Sequence, residues 1–121
     1  MILVAVDDLL FSSKIRTTAR LANVELTFAR TPAEILARAR ELKPALVILD
    51  LNSTKADAIA TVSAMKQDAD LASIPTLGFV SHVHASLIEA ARAAGVDDVM
   101  ARSAFAAHLA DILTAAGAPR P

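Results

Sequence analysis

The stretch Pro44-Ala45-Leu46-Val47-Ile48-Leu49-Asp50-Leu51-Asn52 decides the fold. Its apolar run is too short for a buried helix and rich in branched side chains, the pattern of a parallel strand covered on both faces. The strand stops at a carboxylate, Asp50. The segment Ile2-Leu3-Val4-Ala5-Val6-Asp7-Asp8 repeats that arrangement, an apolar run closed by acid. Two strands of one parallel sheet end on the same side, and open α/β sheets bind their ligands there. This reading gathers Asp7, Asp8 and Asp50 into one pocket.

Outward from that strand, apolar periodicity marks the neighbouring elements. Phe11, Ile15, Ala19 and Ala22 form one stripe of a helix from Leu9 to Leu21, and a short strand is expected at Val24 to Ala29. Thr31-Pro32-Ala33-Glu34 reads as a capping box with Pro at the first helical position, and Pro44 ends the helix it opens. After a polar loop, a third helix is expected from about Ala56 to Gln67, then a strand over Thr76 to Val80, where Gly78 signals close approach of a neighbour. A fourth helix from about His84 to Ala94 meets Gly95 as its cap. A brief strand over Asp98 to Ala101 precedes a last helix capped by Ser103, with Phe105, Leu109, Ile112, Leu113 and Ala116 along one stripe. Five strands alternating with five helices through short connections predict a doubly wound α/β sandwich with a parallel sheet. Residues 1–116 are expected to form one domain, followed by a flexible tail over 117–121.

Composition narrows the chemistry. At 121 residues the chain is long enough for a sizeable core and is expected to be a free-standing module. Twelve basic residues against thirteen acidic ones leave no electrostatic footprint for nucleic acid or anionic lipid. Cys is absent, which excludes thiol nucleophiles, disulfides and cysteine metal sites. The apolar start is closed early by two aspartates, so neither a signal peptide nor a membrane span is expected, and the cytoplasm is the expected home. With only Gly78, Gly95 and Gly117 available, neither a P-loop nor a G-x-G-x-x-G turn can be written.

Three carboxylates at one strand edge repel one another unless a proton or cation offsets their charge. Mg²⁺ suits such a site, since it prefers oxygen ligands and is commonly held by one or two carboxylates plus a phosphate oxygen. A carboxylate beside it can attack a phosphoryl group and become an acyl phosphate, which would make Asp50 the nucleophile. The competing reading is structural: Asp7 and Asp8 open the first helix, where acids complement the dipole. The match with Asp50 on a second buried strand favours the functional one.

Over nearly its whole length the chain resembles the receiver domains of bacterial response regulators. The resemblance rests on Asp7 and Asp8, the strand-end Asp50, the turn Ala93-Ala94-Gly95-Val96-Asp97-Asp98 and the basic residue Arg102, all in the family's order. Val80 follows Asp50 by thirty residues and Arg102 by fifty-two, which also fits. The resemblance implies a flavodoxin-like (βα)5 fold with strand order 2-1-3-4-5. It makes Asp50 the phosphoacceptor and Arg102 the partner of phosphate or carboxylate. It assigns Mg²⁺ to Asp7, Asp8, Asp50 and the backbone carbonyl of Asn52. The family's hydroxyl residue is replaced by Val80, with Ser81 next to it as a candidate substitute. Its switching aromatic is replaced by Val99, and its Lys by Arg102. Arg pairs with phosphate bidentately but is longer and planar, so the exchange is not conservative.

The leading expectation is thus a stand-alone signalling protein, phosphorylated on Asp50 by a histidine kinase or phosphotransfer protein. Its output to a downstream protein would be by contact through the fourth helix, fifth strand and fifth helix, a face that could also form a homodimer. The alternative is a pseudo-receiver with a constitutive interaction surface, favoured by Val80 and Val99. A phosphoester hydrolase comes last, because the haloacid-dehalogenase-like loop would need an acid where Asn52 stands. His82 and His84 flank the loop near the expected site, with His82 a candidate phosphate neighbour. No carboxylate or cysteine spacing supports a histidine metal centre there.

Overall fold

A computed structural model describes residues 1–81 and 85–117, and the histidines at 82 and 84 lie outside the described residues. Strands β1 (Ile2–Ala5), β2 (Leu26–Phe28), β3 (Leu46–Asp50), β4 (Thr76–Val80) and β5 (Asp98–Ala101) form one parallel sheet in the order β2-β1-β3-β4-β5. Helices α1 (Leu9–Leu21), α2 (Pro32–Leu42), α3 (Ala58–Gln67), α4 (Ala85–Ala94), α5 (Arg102–Ala107) and α6 (Leu109–Gly117) cover both faces. This is the flavodoxin-like architecture that the resemblance implied.

The strands read as continuous apolar runs because each of their faces meets a helical layer. Side-chain alternation sends Leu3, Ala5, Val47, Leu49 and Val80 toward α2, α3 and α4, where they pack with Ile35, Val62, Met65 and Ala91. Ile2, Val4, Ile48, Leu77 and Phe79 face the opposite layer, with Phe11 and Ile15 of α1, Phe105 of α5, and Leu109 and Leu113 of α6. Gly78 supports this packing, because a Cβ there would lie 2.8–2.9 Å from the side chain of buried Leu51.

Local signals explain most element ends. Thr31 caps α2 by accepting from the Glu34 N–H, with Pro32 next to it. Gly95 has φ +110°, a conformation that a side chain would strain. The turn after it is structural: Asp97 Oδ2 accepts from Thr76 N–H at 2.8 Å and Thr76 Oγ1 at 3.0 Å, and the Thr76 hydroxyl accepts from Asp97 N–H at 3.0 Å. These bonds tie the starts of β4 and β5 together.

Five expectations are corrected. β2 is three residues long and narrower than Val24 to Ala29. α3 begins at Ala58, behind Asp57 at φ +39°, because buried Ala56 takes the hydroxyl bond of Thr61 instead of opening the helix. The last helix is broken at His108, which gives six helical segments among the described residues. Ser103 does not cap it: β5 runs straight into α5 with Ala101 at the cap position, so Ser103 falls inside the first turn. Gly117, placed in the tail by sequence, closes α6.

Candidate functional site

β1 and β3 are hydrogen-bonded neighbours with Ala5 opposite Leu49, so both chains leave the sheet at the same edge. Asp50 ends β3 and is 9 % exposed, while Asp7 and Asp8 are exposed on the turn from β1 into α1. The Asp50 carboxylate accepts the Asn52 N–H at 2.9 Å, an Asx turn that fixes it at the start of the loop. Asn52 in turn accepts the Ser81 N–H on its side-chain oxygen at 2.7 Å, which fastens the loop after β3 to the end of β4. Ser81 itself is exposed.

Asp8 serves two ends at once. Its Oδ1 caps α1 by accepting from Leu10 N–H at 2.9 Å and Phe11 N–H at 3.1 Å. Its Oδ2 accepts from the Arg102 guanidinium at 3.1 Å. The cap to Phe11, reinforced by Arg102, holds its carboxyl below the usual carboxylate range. Asp8 thus caps α1, as the structural reading expected, and pairs with Arg102 from the end of β5 with its other oxygen. Burial pushes the Asp50 carboxyl up, Asp8 and Asp7 add repulsion, and the Asn52 N–H and Arg102 pull the other way. Asp7, Asp8 and Arg102 thus all bear on the charge of Asp50.

Two features of the site escaped sequence reading. Lys55 lies 3.7 Å from Asp7 and supplies a second cation. Arg102 also sits 4.3 Å over the Phe11 ring. Phe11 packs edge-on to Phe79 at 5.3 Å and to Phe105 at 5.7 Å, and Phe79 stacks on Phe105 at 4.8 Å. The only local hints were the positions of Phe11, three after Asp8, and Phe105, three after Arg102.

All candidate ligands are hard oxygens, which suits Mg²⁺ by donor chemistry. Among the described residues, however, no three His, Cys, Asp or Glu side chains are drawn together as a metal cage. Arg102 and Lys55 hold Asp8 and Asp7 instead, so a divalent cation would have to displace cations belonging to the chain itself.

No protein-family model and no curated protein matches this chain. Solved structures do. A response regulator from Hahella chejuensis superposes with a TM-score of 0.84 at 21 % identity, covering 95 % of this chain and 92 % of its own. The phosphorylated cyanobacterial phytochrome response regulator RcpA matches at TM-score 0.77 and 24 % identity, over 94 % and 88 %. The Mn²⁺-bound form of response regulator Rcp1 matches at 0.75 and 21 %, over 94 % and 88 %. At these identities the likeness establishes a shared receiver fold.

Proposed function

We propose that this protein is a receiver-type signalling module that accepts a phosphoryl group on Asp50. The observation that carries the reading is the convergence on one sheet edge of a largely buried aspartate, two further aspartates and an arginine. Similar structures that are phosphorylated in one case and Mn²⁺-bound in another support it. Asp7, Asp8, Asp50 and the Asn52 carbonyl are the residues that would hold Mg²⁺. The ion would supply charge neutralisation to the transferring oxygens. An Asp50 oxygen attacks phosphorus, the new O–P bond forming as the bond to the donor's leaving group breaks. Arg102, released from Asp8, pairs with the phosphoryl oxygens. A histidine kinase or phosphotransfer protein is the donor, in the cytoplasm. Leu9 and Leu10, 78 % and 85 % exposed beside Asp8, form an apolar rim for such a partner. Output passes by protein contact through α4, β5 and the last helix, here α5 and α6, and any activity beyond self-phosphorylation and its reversal is outside this reading.

The pseudo-receiver alternative has its own support: Arg102 and Lys55 already neutralise two of the three acids, and Val80 is buried where a mobile hydroxyl would be needed. Intact mass after incubation with Mg²⁺ and acetyl phosphate separates the two. The phosphoryl reading expects one added phosphoryl group, absent from Asp50→Asn; an unmodified mass at saturating donor would leave the constitutive module.

A further inference from the structure

Away from the acid site, the margin of the sheet carries a second feature. Among the described residues β2 is an edge strand, bonded to β1 alone. Between it and α1 lies a groove of about 320 Å³ lined by Arg16, Ala19, Arg20, Val24, Leu26 and Phe28. Val24, Leu26 and Phe28 alternate along the chain, so they share one face, and all three are only half-buried. Buried Ala19 completes the apolar floor.

Among the described residues, the backbone over the same floor is unpaired on its outer side. Glu25 C=O accepts from Ile2 N–H, and Ala29 N–H donates to Val4 C=O. In a parallel ladder, successive residues direct their backbone groups to opposite sides, so Glu25, Thr27 and Ala29 serve β1. The N–H and C=O groups of Leu26 and Phe28 therefore point outward, toward any strand laid alongside. An added strand meets free donors and acceptors at the two residues whose side chains floor the groove, the geometry of β-augmentation.

The rim fixes the sign of the occupant. Arg16 and Arg20 are exposed, and among the described residues neither has a carboxylate within 4.0 Å. Arg16 instead lies 4.5 Å over the Phe28 ring, which holds its guanidinium at the mouth of the groove. Glu25 alternates to the other face of the strand. A second copy docking edge to edge would bring the same arginines toward each other and is disfavoured by charge.

We propose that the α1–β2 groove binds an extended acidic segment of a partner protein as an additional strand on β2, with apolar side chains and carboxylates both on the strand face turned toward α1. On that face the apolar side chains fill the floor over Leu26 and Phe28, and carboxylates two residues away along the strand reach Arg16 and Arg20 bidentately. This surface is independent of Asp50 and gives the module a binding edge whose occupancy does not require phosphorylation.

The test uses the full chain and two fluorescein-labelled, end-blocked peptides, one repeating Thr-Val-Thr-Glu and the other Thr-Val-Thr-Lys, so that Val and the charged residue share one face. The Glu peptide is expected to bind at least tenfold more tightly and to slow hydrogen exchange of the Leu26 and Phe28 amides at least tenfold, because those donors gain acceptors. The double charge reversal Arg16→Glu with Arg20→Glu, at exposed positions, is expected to invert the peptide preference. Equal binding of both peptides, binding that leaves the Leu26 and Phe28 amides unprotected, or a β2-mediated dimer in sedimentation would each overturn the proposal. The comparison on the unaltered chain stands even if the reversal variant does not fold.

Discussion

Phe79→Ala is expected to cost the domain about 3–5 kcal/mol, the range for removing a fully buried aromatic ring. Phe79 is 0 % exposed at the centre of the layer formed by α1, α5 and α6. Its ring is stacked within 6° of parallel on Phe105 and meets Phe11 edge-on, so the variant loses both aromatic contacts besides the buried area. A parallel core has no spare element to collapse into the gap, because β4 is held on both sides by β3 and β5. Thermal unfolding should show the midpoint falling by roughly 10 °C or more. Phe79→Leu keeps most of the volume and should cost clearly less. A loss under about 1 kcal/mol for the Ala variant would mean that the cluster is not a cooperative part of the core. The site should feel the same change: Phe79 stands opposite Asp50 in the ladder, and its neighbour Phe11 seats Arg102.

Asp50→Asn is expected to act in the opposite direction, stabilising the protein at neutral pH while removing the proposed acceptor. The amide keeps the shape of the carboxylate and an oxygen to accept the Asn52 N–H, but removes a charge that burial disfavours and that Asp7 and Asp8 repel. The native pKa of Asp50 is raised above its unfolded value, so above the native pKa its ionisation destabilises the fold. That penalty is relieved as pH falls through the native pKa and is gone below the ordinary carboxylate range. The advantage of the Asn variant should therefore be full at pH 7 and shrink on acidification through the carboxylate range. Denaturant unfolding of both proteins across that interval is the check. A variant less stable than the parent at pH 7, or an advantage that grows on acidification, would contradict an Asp50 strained by its surroundings.

These opposed effects show what the sequence could and could not disclose. The sheet was legible because parallel strands must be apolar throughout, and α1 was legible because Phe11, Ile15 and Ala19 recur at helical spacing beneath a polar face. The acid edge followed from topology alone, since two runs ending in aspartate leave a parallel sheet together. The break at His108 was hidden: no Pro or Gly marks it, and the surrounding alanines favour an unbroken helix. Ser103 misled because β5 feeds α5 with no intervening loop, a matter of tertiary geometry and not of cap preference. Lys55 and the seat of Arg102 on Phe11 were invisible for a similar reason: each pairs groups far apart in the chain and brought together only by the fold. Those contacts change the account of the site, because Asp7 and Asp8 are already paired with the protein's own cations.

Titration of the uniformly ¹⁵N-labelled protein with Mn²⁺, followed by amide spectra, tests whether the acids of two separate strands act as one cation site. Paramagnetic broadening is predicted to fall together on the amides of Asp7, Asp8, Asp50, Leu51 and Asn52, to be relieved by excess Mg²⁺, and to be largely lost in Asp50→Asn. Broadening confined to Asp7 and Asp8 and unchanged by that substitution, or spread over unrelated surface acids, would contradict the account.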